Sequence, residues 1–222
     1  PIIIHGGGKR ISAKLNDAGI KSNFINGLRV TDKKSIDIVE NVLNNFNEEI
    51  TISLKNNNCN SQGITNKHNN ILIVEEENKE LGFVGTPKEI NKTIIEKIVK
   101  EKKVPVIAPL GLDKNNQVFN INADTAAGAI AKKLNARRLI IMSDVEGVLD
   151  NNKKLITEIN TVKINELIKN ETISGGMIPK IKNCLDVASN GVKGVCIIDG
   201  RLDHSILFEL LSNAGSGTLI RE

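Results

Sequence analysis

Tryptophan and tyrosine are absent from the 222-residue chain and phenylalanine occurs five times, so aromatic side chains make up 2% of it. A stacking platform for single-stranded nucleic acid needs several flat side chains on one face, and this composition excludes it. Cys59, Cys184 and Cys196 stand far apart and in no metal-ligand spacing, so neither a disulfide framework nor a zinc site is expected. No run approaches the roughly 20 apolar residues of a membrane-spanning helix, and nothing has the pattern of a signal peptide. These absences point to a soluble protein in a reducing compartment, with neither nucleic acid nor membrane among its partners.

What is present suits a folded enzyme. Hydrophobic residues make up 40% and charged residues 25%, and a chain of this size hides roughly 70% of its unfolded surface, so its core needs no staple. Thirty Lys and Arg against 26 Asp and Glu give a net charge of +4, with the signs interleaved along the chain. That distribution favours small anionic ligands over a polyanion. Asn, Lys and Ile are over-used, as AT-rich coding would produce.

Short apolar runs alternate with longer segments of helical period, which predicts a mostly parallel sheet with helices on both faces. Strands are expected at Ile2–His5, Ile50–Leu54, Ile71–Val74, Val104–Ala108, Leu139–Met142 and Gly194–Ile198. Helices are expected at Lys9–Ala18, Asp32–Leu43, Lys88–Lys100, Ala123–Leu134, Ile164–Lys169, Ile178–Asn190 and His204–Leu211. Thr31 or Asp32 would cap the second of these helices. Lys55–Asn70 is polar and reads as an exposed loop or hairpin. A soft boundary at Asn135-Ala136 suggests two lobes sharing one continuous sheet.

Five segments carry candidate chemistry. Ile2-Ile3-Ile4-His5-Gly6-Gly7-Gly8-Lys9 is a strand running through three glycines into a helix, where backbone amides approach an anion closely. It lacks the spacing of a P-loop or a dinucleotide fingerprint. Asn26-Gly27-Leu28-Arg29-Val30-Thr31 sets an arginine just before a helix, either as a planar fork for a carboxylate or as a solvated residue after a turn. Asn120, Asn122 and Asp124 lie where an extended piece enters a small-residue helix, with Asp124 in the first turn as a cap or as an anchor for lysines. Ser143 to Gly147 follow an apolar strand, at the carboxyl end where parallel sheets bind ligands. Ser174-Gly175-Gly176-Met177-Ile178-Pro179-Lys180 places a lysine one turn into a helix, able to reach a transferring phosphoryl group or simply exposed to solvent.

Taken together and in this order, these residues resemble the amino-acid kinase family, in the branch that acts on N-acetyl-L-glutamate. The likeness runs from Pro1 to the end and takes in Leu81-Gly82-Phe83-Val84-Gly85 and Gly215-Ser216-Gly217-Thr218, whose spacing alone suggests nothing. It implies an α/β fold, a three-layer αβα sandwich with a mostly parallel central sheet. An acetylglutamate-binding lobe over 1–135 and a nucleotide-binding lobe over 136–222 are implied with it. It further implies that ATP with Mg2+ phosphorylates the side-chain carboxylate of N-acetyl-L-glutamate, a reaction of arginine biosynthesis.

On the residues that match, Gly7 and Gly8 would present amides to the substrate or the moving phosphoryl, and Arg29 and Asn120 would hold the acetylglutamate. Lys180 would stabilise the transition state and Asp124 would orient the catalytic lysines. Nucleotide contacts fall on Asp144, Val145, Glu146, Gly147, Val148 and Leu149, and on Thr172, Ile173 and Ser174. Glu209 and Gly215 match positions that bind arginine as an inhibitor, although Cys196 stands where arginine-sensitive relatives usually carry His. His5, His68 and His204 are assigned no catalytic role.

The resemblance also implies a homodimer or hexamer, and in photosynthetic lineages a PII-type signalling protein as partner. The compartment would be the cytoplasm or, given the AT-rich coding, the plastid stroma. The family opens with a strand and a Lys-x-Gly-Gly turn that are not seen ahead of Pro1, so the chain reads as a fragment without that lysine's contribution to turnover. Other amino-acid kinases, such as glutamate 5-kinase or aspartokinase, form the alternative within the family, with Asn26 to Thr31 weighing against them. A catalytically dead, ligand-binding regulatory homologue is the alternative outside catalysis.

Overall fold

In the computed structural model, which describes residues 1–212 and 215–222, the opening isoleucine run forms β1 (Ile3–Ile4), and the glycines after it turn the chain into α1 (Gly8–Asp17). Ile11 and Leu15 are the buried face of that helix. A two-residue turn then joins β2 (Phe24–Ile25) to β3 (Leu28–Arg29). Its central residues, Asn26 (φ 50°) and Gly27 (φ 82°), are both left-handed, as the type I′ turn of a tight hairpin requires.

Asp32 rather than Thr31 caps α2 (Lys33–Asn56), its Oδ1 accepting from the amides of Lys34 at 3.1 Å and Ser35 at 2.8 Å. The strand expected at Ile50–Leu54 is the last part of this helix. Ile36, Val39, Leu43, Asn47 and Thr51 form one buried stripe at helical spacing, so Thr51 extends a helical face and Ile52 is left exposed. A fully buried Leu43 stabilises that packing by about 2 kcal/mol.

The first unit continues with β4 (Ser61–Ile64), β5 (Leu72–Glu76), a 3-10 turn at Lys79–Leu81, β6 (Gly85–Ile90), α3 (Lys92–Lys100), β7 (Val104–Ile107), β8 (Leu110–Leu112), β9 (Val118–Asn120) and α4 (Ala123–Lys133). The expected Lys55–Asn70 loop therefore contains the end of a helix and a paired strand, and the expected Lys88 helix starts only at Lys92, behind β6. The central ladder, ordered β1-β7-β4, is wholly parallel and receives α2 and α3, while β6-β5-β8-β9 forms a second, mixed ladder. Ile11, Leu15, Val39, Leu43, Ala108 and Leu110 make one core cluster against the glycine turn's helix.

The chain divides within α4 into units Pro1–Ile130 and Ala131–Glu222. The second unit holds β10 (Leu139–Ser143), β11 (Glu158–Ile159), α5 (Thr161–Lys169), α6 (Met177–Ser189), β12 (Val195–Asp199), α7 (Ser205–Leu211) and β13 (Gly217–Ile220). Its ladder runs β10-β12-β13-β11, with β10 and β12 parallel and every residue of β12 buried. Thr218 ties this sheet together, accepting from the Val148 amide at 2.8 Å and donating to Ile156 O at 2.7 Å. The expected α/β class, with mostly parallel strands and helices on both sides, is what forms, and within the first unit the described strands pair in more than one ladder. Among the described residues no helix is long and apolar enough to cross a membrane.

Candidate active site

A cleft of about 230 Å³ opens where β1 meets α1 and where β9 meets α4, so two helix starts face it. Gly6, Gly7 and Gly8 form one wall. Ile11 is the first residue of α1 whose amide reaches a helical carbonyl, Gly7 O at 2.9 Å, and no side chain caps the turn before it. The amides of Gly8, Lys9 and Arg10 are therefore the unsatisfied donors that every helix start leaves, and of these residues Gly8 lines the cleft. The other helix start is closed differently, because Asn122 Oδ1 accepts from the Thr125 amide at 3.1 Å.

Arg29 supplies the charge. It lies at the end of the hairpin, only 8% exposed, and lines the cleft. Its guanidinium donates to Ser22 Oγ at 2.6 Å, Ser12 Oγ at 2.9 Å and Gly8 O at 2.9 Å, and it stacks on the Phe24 ring 4.7 Å away. Those acceptors are all neutral, and among the described residues no carboxylate pairs with Arg29. Burial pushes its pKa below the ordinary value, the mark of a cation short of counter-charge. Three of its five N–H groups are used, which leaves two for a ligand.

Asn120 forms the facing wall. Its Nδ2 donates to Thr31 Oγ1 at 3.3 Å, and Thr31 Oγ1 in turn donates to Arg29 O at 3.1 Å, so one buried threonine ties the two candidate substrate residues together. Gly82 explains part of the Leu81-to-Gly85 motif. It bridges Thr31 with φ 68°, and a Cβ there would stand 2.5 Å from Thr31 O.

The structure thus brings Gly7, Gly8, Arg29 and Asn120 to one cleft. Asp124 lies half-buried in the first turn of α4, beside cleft-lining Ala123. Lys180 lies half-buried in the first turn of α6, in the second unit, together with the nucleotide candidates. Of these, Asp144, Glu146 and Ser174 are exposed, Val145, Leu149 and Thr172 are half-buried, and Gly147, Val148 and Ile173 are buried. The Thr172 amide donates to Asn170 Oδ1 at 3.2 Å and closes its own turn, while its hydroxyl lies 2.6 Å from Asn151 Oδ1.

Some participants were not foreseen. Ser12, Ser22 and Thr31 aim Arg29 and Asn120, yet serines and threonines in these positions carry no sequence signal. Arg201 grips the buried Asp199 through Nε at 2.8 Å and NH2 at 2.7 Å, at the carboxyl end of β12. This guanidinium pulls the Asp199 pKa down to about 2. Asp144 and Glu146 add negative charge near Arg201. That pair was findable, because Asp199 follows an apolar strand just as Asp144 does. Glu209 is buried, accepts from the Ser216 amide at 2.9 Å and pairs with Arg138 at 3.4 Å, and a Cβ on Gly215 would touch its Oε2. Burial and a hydrogen bond to Glu209 push the Cys196 thiol up to about 12.

The family model described as the Amino acid kinase family matches residues 1–199. An acetylglutamate kinase of Pelagibacter ubique (strain HTCC1062) is 69% identical over 222 residues, 100% of this chain and 77% of that protein. An acetylglutamate kinase of Ruegeria pomeroyi is 43% identical over the same share of each. Among solved structures, smu.665 from Streptococcus mutans UA159 superposes with a TM-score of 0.87 at 32% identity, covering 99% of this chain and 85% of that one. These organisms are bacteria, so the plastid expectation finds no support in them.

Proposed function

The chain belongs to the amino acid kinase family, and from that premise we propose that it transfers the terminal phosphoryl group of ATP to the side-chain carboxylate of N-acetyl-L-glutamate, yielding N-acetyl-L-glutamyl 5-phosphate and ADP in arginine biosynthesis. Two relatives that cover the whole chain carry that activity in their names. The single observation that carries the reading to this cleft is Arg29, a buried guanidinium with only neutral partners. Burying such a charge is costly, and an incoming carboxylate offsets the cost.

The rest of the lining selects among acids. No Asp or Glu lines the cleft among the described residues, so the α-ammonium of free glutamate or aspartate would meet no counter-charge there. An N-acetylated substrate has a neutral amide at that position, which Asn120 can hydrogen-bond. We assign Arg29 to the α-carboxylate, Asn120 to the acetamide end, and the amides of Gly7 and Gly8 to the side-chain carboxylate and the moving phosphoryl. A carboxylate oxygen attacks the terminal phosphorus as the bond to the bridging oxygen breaks, and the electron pair leaves with ADP. No proton transfer is required, so positioning and charge compensation supply the catalysis.

Lys180 is assigned to the negative charge of the transition state and Asp124 to orienting the catalytic lysines. We assign 1–135 to acetylglutamate and 136–222 to the nucleotide, with Asp144 to Leu149 and Thr172 to Ser174 as its contacts. Among the described residues no three His, Cys, Asp or Glu side chains cluster as a cation cage. The nucleotide is taken as MgATP, its cation held chiefly by phosphate oxygens and water. Inhibition by arginine is assigned to Glu209 and Gly215 from kinship, and Glu209 would exchange the guanidinium of Arg138 for that of the ligand. The homodimer or hexamer, and a cytoplasmic compartment, are proposed from bacterial kinship.

Trapping the acyl phosphate with hydroxylamine tests the reaction. With ATP present, hydroxamate should form from N-acetyl-L-glutamate and not from L-glutamate or L-aspartate. The reverse order would assign the cleft to another member of the family.

A further inference from the structure

His5 ends the first strand next to the glycine turn, 6% exposed and outside the cleft lining. Two carbonyl oxygens, which can only accept, locate every proton around it. His5 Nδ1 lies 2.9 Å from Gly6 O and therefore carries a hydrogen. The buried Asn47 of α2 places Nδ2 2.9 Å from Val106 O, which decides the orientation of its amide. The same Nδ2 lies 3.2 Å from His5 Nε2, so its second hydrogen points at a ring nitrogen that must offer a lone pair. The ring is neutral, with its single proton on Nδ1. Burial works in the same direction, lowering the His5 pKa from its ordinary value. Phe46 packs edge-on at 5.2 Å and closes the ring in.

The consequence falls on the cleft. The carbonyl and the N–H of one trans peptide point in opposite directions. With Gly6 O turned toward His5, the N–H of Gly7 is turned away from the ring, and no hydrogen bond within the described chain uses it. We propose that Asn47 and His5 form a positioning relay: Asn47 selects the Nδ1–H tautomer of His5, and His5 holds the Gly6–Gly7 peptide so that its N–H serves the ligand in the cleft. The proposal rests on the phosphotransfer reading of that cleft. It makes His5 a positioning residue that touches neither substrate nor nucleotide.

Two measurements test the relay. In protein labelled with 15N-histidine, the His5 ring should show a protonated Nδ1 and an unprotonated Nε2 at neutral pH, and the reverse pattern or a doubly protonated ring overturns it. This reading needs no turnover, so it stands apart from any failure of the proposed activity. Kinetically, His5→Leu keeps the volume but removes the donor and should lower kcat about tenfold or more with the KM for ATP unchanged. His5→Asn restores an amide donor at the δ position and should recover most of that loss. Equal damage from the two variants, or loss confined to KM, overturns the relay. If His5→Leu does not fold, the ring protonation of the parent and the kcat of His5→Asn decide.

Discussion

The two units use their polar side chains differently. In the first, Ser12, Ser22 and Thr31 hold Arg29 and Asn120 in place around a cleft. In the second, Thr218 bridges Val148 to Ile156, the Thr172 amide closes its own turn on Asn170, and Arg201 holds Asp199. The first set leaves donors over, while the second set is largely consumed in closing the unit's own framework. Hydrogen bonds spent on aiming a cation accord with the proposed assignment of the first unit to one acid. In the second unit Asp144, Glu146 and Ser174 stay exposed, which accords with the proposed assignment of that unit to the nucleotide.

This contrast can be broken by substitution. The largest effect belongs to Lys180, the second unit's candidate for direct charge compensation. Lys180→Ala should cost on the order of 3 kcal/mol in the barrier, roughly a hundredfold in kcat, with ATP binding largely intact. Steady-state kinetics beside nucleotide titration measure it, and unchanged kcat removes Lys180 from its role. Next comes Thr218→Val, which leaves the buried Val148 amide without its acceptor and should destabilise the chain by about 1–3 kcal/mol. Urea unfolding reads that loss, and affinity for N-acetyl-L-glutamate should not change. A change in that affinity would break the division of labour.

The smallest effect concerns Arg201→Gln. Asp199 has its pKa lowered from 3.8 to about 2 in the folded protein, so its pairing contributes stability above pH 3.8 that is lost as pH falls toward 2. The stability difference between the parent and Arg201→Gln should therefore be full at neutral pH and close across that acid window. Unfolding curves at successive pH values check it. A difference that does not depend on pH would mean that Arg201 acts through packing alone.

Legibility in the sequence divides along similar lines. Isoleucines, a glycine triplet and a helical stripe announce the β1-to-α1 turn, because backbone freedom and apolar period are written in residue type. Arg29 was visible as a candidate, since Asn26-Gly27 marks a tight hairpin. Ile50 to Leu54 misled because β-branched residues favour strands locally, while Thr51 completes a buried stripe set by residues far upstream. Gly82 could not be interpreted, because its need arises from Thr31, distant in the chain and adjacent only after folding. The same holds for Ser12, Ser22 and Asn47, whose roles are relations between segments that no local pattern encodes.

The central claim is that a buried guanidinium without a carboxylate partner awaits the acid of N-acetyl-L-glutamate. Calorimetric titration of N-acetyl-L-glutamate into the parent and into Arg29→Lys tests it most directly, because lysine keeps the charge and loses the planar fork. The account predicts binding to the parent and affinity weaker by about tenfold or more in the variant. Equal affinity in the two proteins would contradict it.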